Sequence, residues 1–184
     1  MEKSRLEDFM NGFAAAVHLL SRAGLNGFLV EYVCLATSVI DSILRIGIIL
    51  KHQIKNQTDD VLDEYLYMEE GSKIIFERDI YRFSLKQDII DEELFALLNN
   101  LYDKRNRVVH RYIISDITTR QVLDIGIQYE KIISIVSNEI AKLEEIQIEL
   151  GVGMCVAGPE IIRSQLDGMI AKKHGNTNLA KGLS

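Results

Sequence analysis

The chain has 184 residues, 47% of them hydrophobic and 26% charged, with a formal net charge of −6. That is enough apolar material for one well-buried domain with an appendage, and the acidic balance argues against broad, non-specific binding to DNA. A single proline, Pro159, and an abundance of Glu, Leu, Ile and Lys predict an all-α fold.

The start, Met1-Glu2-Lys3-Ser4, carries both signs of charge instead of a basic stretch before an apolar core. No secretory leader is expected, and the protein is expected to be cytoplasmic. Ser4 with Glu7 forms a capping-box pattern, and Leu6, Phe9, Phe13, Val17 and Leu20 follow at helical spacing. They predict a first helix over 4–23, stopped by Gly24. The second, over 27–55, is apolar nearly all round, which predicts a central helix packed on several sides. Glu31, Asp41 and Arg45 interrupt it at depths where charge is costly in a bilayer, so it reads as a buried helix and no membrane partner is expected. With Ser38 and Ser42 these residues form one polar strip, which must face a partner strip, a cavity or water.

A short helix near 59–69, a break at Gly71-Ser72 and a new helix starting at Ser72 are expected next. Asp91 is placed to cap a helix over 92–114, and Thr118 or Thr119 to start another over 118–150 that Gly151 ends. Residues 1–150 are thus expected to form the helical bundle. Residues 151–184 are expected to form a linker (Gly151 to Gly153, Gly158-Pro159), a short helix near 159–173 and a loose tail. The two cysteines, Cys34 and Cys155, lie far apart and are expected to be reduced thiols. No glycine-rich phosphate loop follows a strand, and no set of His, Cys and carboxylates has metal-ligand spacing, so neither cofactor nor metal is expected.

The helix over 92–114 carries the chemistry. Leu94, Leu98, Leu101, Val108, Val109 and Tyr112 define a core-facing stripe, and Arg105 falls on its centre line. Burying an unpaired guanidinium costs several kcal/mol, so a carboxylate from helix two, Asp41 or Glu31, is expected beside it. Asn99, Asp103, Asn106 and His110 share a second face. Carboxamides, a carboxylate and an imidazole in register are groups that hold geometry and exchange protons, unlike the Glu and Lys of an ordinary helix exterior. Lys104, Arg105, Arg107 and Arg111 form a local basic cluster able to bind phosphate in spite of the global charge.

The string Arg105-Asn106-Arg107-Val108-Val109-His110-Arg111-Tyr112, on a main helix of an acidic all-α domain, resembles the Arg-x4-His-x-Tyr signature of the HEPN superfamily. The signature covers eight residues. The resemblance implies an up-and-down bundle of four to six helices, often dimeric, and metal-independent endoribonuclease activity of the kind found in toxin–antitoxin and phage-defence systems. Carried over residue by residue, it makes Arg105, Asn106 and His110 the catalytic candidates. Tyr112 becomes the position at which an antitoxin of the nucleotidyltransferase type attaches adenylate to silence the enzyme. Asp41 and Arg45 are similar to polar positions that some members place near the site, and Arg107 and Asp103 are supporting or substrate-binding candidates.

The chemistry is consistent with that implication. Cleaving RNA without metal needs a proton carrier, which His110 can be, and positive charge on the phosphorane, which the planar fork of Arg105 can supply, while Asn106 orients. Arg105 and His110 are five residues apart, about 140° around an ideal helix, so a long Arg side chain, a kink or a composite site between two copies must bring them together, and the composite site, with a homodimer, is the expectation. The alternatives are a non-catalytic dimeric interaction module, in which Arg105 and Asp41 form a buried structural bridge, and a small regulator that binds a ligand on the strip of helix two.

Overall fold

The computed structural model describes residues 5–67, 74–156 and 163–174, and these form seven helices without a strand. They are α1 (Arg5–Leu25), α2 (Leu29–Asn56), α3 (Asp63–Leu66), α4 (Glu77–Lys86), α5 (Glu92–Arg111), α6 (Thr119–Leu150) and α7 (Arg163–Lys173). Ser4 of the expected capping box, the Gly71-Ser72 break, Gly158-Pro159 and the tail from Gly175 lie outside the described residues.

The chain is all-α and is organised around α2. Val33, Ala36, Ile40, Leu44, Ile48 and Leu50 are essentially inaccessible to solvent, because α1, α4, α5 and α6 all pack on this helix. By length and composition α2 could cross a membrane, but 67% of its most apolar window is buried within the protein. The longest contact is with α6, whose stripe Val122, Ile125, Tyr129, Ile132, Val136, Ile140 and Leu143 returns every three or four residues. Tyr129 donates to the Leu101 carbonyl (3.1 Å), tying α6 to α5 as well.

Helix ends follow local chemistry where the sequence had a cap to offer. Asp91 Oδ1 accepts from the Leu94 amide (2.8 Å) at the start of α5, Thr118 and Gln121 form a capping box on α6, and Gly151 ends α6 in the left-handed conformation. Other boundaries differ from expectation. α1 runs through Gly24 to Leu25, and the helix expected over 59–69 is the single turn of α3. α4 starts at Glu77, where the Phe76 amide donates to Asp79 (3.2 Å). α5 stops at Arg111 instead of 114, because Tyr112 bonds Thr119 across the turn (2.7 Å) and folds the chain toward α6.

The expected linker after α6 is held in place at its start. Gln147 and Gln53 are fully buried and joined, Gln147 Nε2 donating to Gln53 Oε1 (2.7 Å). Gln53 also donates to the carbonyls of Asp59 and Asp60 (both 3.2 Å) and accepts from the Met154 amide (3.3 Å). Gln147 accepts from the Cys155 amide (3.2 Å), and Asp59 from the Gly153 amide (2.7 Å). Two carboxamides thereby satisfy the backbone of two irregular segments that no helix serves. Further along the chain, α7 packs on α1, with Lys172 paired to Glu7 (2.7 Å) and the rings of His18 and His174 edge to face.

This clasp sets a prediction. Gly151 (φ +67) and Gly153 (φ +84) both lie in the left-handed region, but a Cβ at 151 meets open space whereas one at 153 falls 2.2 Å from Gln147 Nε2. Gly151→Ala is expected to lose about 1 kcal/mol, the conformational penalty alone. Gly153→Ala should lose clearly more, about 2–3 kcal/mol, because the buried carboxamide pair must move as well. Urea unfolding of the two variants side by side checks the order, and equal losses would contradict the clasp.

Candidate functional site

α5 buries Leu94, Leu98, Leu101 and Val108 against the core, and Arg105 projects from the same stripe one turn after Leu101. Val109 and Tyr112, expected on that stripe, are instead half exposed, since α5 has passed the edge of the core by then. The carboxylate that meets Arg105 is neither Asp41 nor Glu31. It is Glu77, in the first turn of α4, which accepts from Arg105 Nη2 on Oε2 and from the buried Tyr81 hydroxyl on Oε1. Both charged side chains are largely buried, 19% of Arg105 and 13% of Glu77 remaining exposed. The Tyr102 ring is in contact with two guanidiniums, Arg78 at 4.3 Å and Arg105 at 4.8 Å from its centre, and Arg78 in turn pairs with Asp103 (2.6 Å).

Asp41 pairs with Arg45 one turn along α2, accepting from Arg45 Nε on Oδ2 (2.6 Å). Arg45 then donates to the carbonyls of Tyr65 (3.1 Å) and Ile75 (3.3 Å). It is a staple that holds the connection between α2 and α4 to the bundle, where the sequence had suggested a site-supporting role.

Two concavities meet at Arg105. On one side is a cleft of about 410 Å³ whose α2 wall is the expected polar strip: Cys34, Thr37, Ser38, Asp41, Ser42 and Arg45. Glu77, Arg105 and Val109 close it. On the other side is an open hollow of about 580 Å³, which brings Arg105, Asn106, Arg107, His110 and Arg111 together with Tyr102 and Asp103. Arg107 is loosely paired with Asp116 (3.3 Å), and both are exposed. Asn106, His110 and Arg111 have no side-chain partner among the described residues. His110 also borders an apolar hollow with Val30, Val109, Tyr112, Ile113 and Ile114, in which Ile113 is 94% exposed.

Burial governs the titration of the carboxylates. It raises Glu77 above the ordinary carboxylate range against the opposing hydrogen bond from Tyr81 and the charge of Arg105, and it raises Asp41 in spite of Arg45. Tyr81 is pushed far up by burial and by Glu77, so it stays a neutral donor. Sequence reasoning missed Glu77, Tyr81, Arg78 and Tyr102. The spacing of Glu77 and Tyr81, four apart on one helix face, was the available signal.

Among the described residues, no group of three or more His, Cys, Asp or Glu side chains is placed to hold a metal ion. Comparison of the chain with family models, curated proteins and solved structures finds no match.

The ion pair generates two predictions. Arg105→Met strands a largely buried carboxylate and is expected to destabilise the fold by about 3 kcal/mol, whereas Glu77→Met combined with Arg105→Met should lose much less, because both charges leave together. Chemical denaturation of the single and double variants tests this, and a double variant worse than the single one would rule it out. The pH dependence carries the opposite sign to that of an exposed salt bridge. Glu77 binds its proton more tightly when folded than its ordinary value of 4.5 allows, so its titration contributes stability below that pH and loses it as pH rises through the folded value. The stability of the wild type relative to Glu77→Gln should therefore fall as pH is raised from 4 toward neutrality, as followed by thermal melts.

Proposed function

We propose that this protein is a metal-independent endoribonuclease with a HEPN-like, up-and-down bundle, acting in the cytoplasm as a toxin or phage-defence component. One observation carries the reading: on a chain of net charge −6, three arginines, Asn106 and His110 open onto one hollow, with the imidazole and carboxamide unengaged. Such a surface attracts a phosphodiester and offers a proton carrier beside it.

In this reading His110 takes the proton of a 2′-hydroxyl, whose oxygen attacks the adjacent phosphorus. The 5′-oxygen leaves with a proton, and the product ends in a cyclic phosphate. Asn106 orients the reacting groups. Arg105, anchored through Nη2 on Glu77 and stacked on Tyr102, presents its remaining Nη hydrogens to the developing charge. A homodimer supplies the second proton carrier, the imidazole of the other copy, and the apolar turn at Ile113 and Ile114 gives the two copies a surface to bury. A nucleotidyltransferase-type antitoxin acting at Tyr112 would add bulk and negative charge two residues from His110 and block the hollow.

A second reading, the non-catalytic interaction module, is favoured by the pairing of Arg105 with Glu77, which makes that arginine a structural element by itself. Incubation with total RNA in EDTA separates the two. The nuclease is expected to release fragments ending in a 2′,3′-cyclic phosphate, and His110→Ala should reduce the rate by about 10²–10⁴-fold with an unchanged melting temperature, since His110 is exposed. RNA left intact by the wild type, with His110→Ala indistinguishable from it, gives the answer to the interaction module.

A further inference from the structure

The cleft on the α2 side of Arg105 takes no part in the chemistry above, and its hydrogen-bonding inventory is lopsided. Thr37, Ser38 and Ser42 each donate the hydroxyl hydrogen to a carbonyl one turn back, on Val33 (3.0 Å), Cys34 (3.4 Å) and Ser38 (2.9 Å). What their oxygens have left to offer is lone pairs. Arg45 commits one N–H of each of its three nitrogens, to Asp41, Tyr65 and Ile75, which fixes its fork in place. Asp41 gives one oxygen to Arg45, while Oδ1 is buried without a partner. Across the cleft, both oxygens of Glu77 are taken, and Arg105 Nε is a buried donor without a partner.

Two consequences follow from this inventory. The charges of Asp41, Glu77, Arg45 and Arg105 cancel, so the cleft does not select an ion. The α2 wall offers acceptors, from three hydroxyls and Asp41, and the facing wall offers the donor of Arg105, so the cleft favours a neutral group with N–H donors on one edge and an acceptor on the other. A volume of about 410 Å³ admits a planar heterocycle. Among nucleobases, guanine best meets the description: N1–H and the 2-amino group lie side by side, at a spacing a carboxylate accepts in bidentate fashion, and O6 and N7 are acceptors that suit an arginine.

We propose that this cleft takes a guanine base, its N1 and 2-amino hydrogens on Asp41 and its O6 or N7 edge toward Arg105. Seating the base turns the Asp41 carboxylate so that its buried, unpartnered oxygen faces the cleft, with Arg45 Nε following the other oxygen. The guanine belongs either to RNA or to a free nucleotide. The RNA case rests on the nuclease reading: Arg105 lines both cavities, so a guanosine seated here brings its own phosphate toward the hollow that holds His110. Asp41 is then a specificity residue for cleavage beside guanosine.

The test titrates the full chain with GMP, IMP and AMP by calorimetry and maps cleavage sites on RNA in EDTA. GMP is expected to bind roughly ten- to a hundredfold tighter than IMP, which lacks the amino group, and tighter still than AMP. Asp41→Asn should erase the preference of GMP over IMP. Ser38→Phe, at an exposed position on the rim, should block GMP while leaving circular dichroism and melting unchanged, and it carries the test if Asp41→Asn does not fold. Cleavage beside guanosine that loses its preference in either variant assigns the base to RNA. Selective GMP binding with intact RNA assigns the cleft to a free guanine nucleotide and fails the nuclease reading alone. Equal binding of the three nucleotides, or none, overturns the guanine proposal whether or not RNA is cut.

Discussion

A guanidinium on the apolar stripe of a core helix has to be met by a carboxylate, and in this fold the meeting of Arg105 with Glu77 determines what surrounds the motif. Bringing Glu77 to α5 places the first turn of α4 against that helix, and with it Tyr81, which holds the other carboxylate oxygen, and Arg78, which lies over the Tyr102 ring. Burial raises the proton affinity of Glu77 even with Arg105 beside it, so the pair is costly to desolvate and gains little by itself. Its consequence is geometric. The ion pair fixes Arg105 at the one point where the α2 cleft and the α5 hollow adjoin.

Three other buried polar residues, Arg45, Gln53 and Gln147, follow a common pattern, since each serves backbone of the connecting segments. Arg45 caps carbonyls on both sides of the connection between α2 and α4, and Gln53 with Gln147 does the same for residues 59–60 and 153–155. An unsatisfied buried backbone group costs about 1–3 kcal/mol, so a few well-placed side chains make irregular segments tolerable within a bundle. The polar strip of α2 thus divides in function. Its inner end anchors a connection, and its outer end, Ser38 to Ser42, remains to line a cleft.

The electrostatics of the two cavities differ for the same reason. In the cleft, buried charges occur in compensating pairs because burial forbids anything else. In the hollow, solvent makes unpaired charge affordable, and Arg111 and His110 stand open beside an apolar turn. The proposed division of labour, a base read by hydrogen bonds on one side of Arg105 and a phosphate attracted by charge on the other, follows from that contrast.

Much of the architecture was legible in the sequence, because helical periodicity and capping are written within a few residues of where they act. The all-helical class, the central burial of α2, the caps at Asp91 and Thr118, the stop at Gly151 and the need of Arg105 for a carboxylate all rest on such local information. The motif residues were likewise visible, and the hollow does collect Arg105, Asn106 and His110. Which carboxylate answers Arg105 was not legible: Glu77 lies 28 residues away, beyond a connection whose path no periodicity sets, and the polar strip of α2 pointed to Asp41 or Glu31 instead. The Gln53–Gln147 clasp spans 94 residues and joins two glutamines that no local pattern singles out. Local spacing determines which face of a helix must be satisfied, and only the packing of distant segments decides by what.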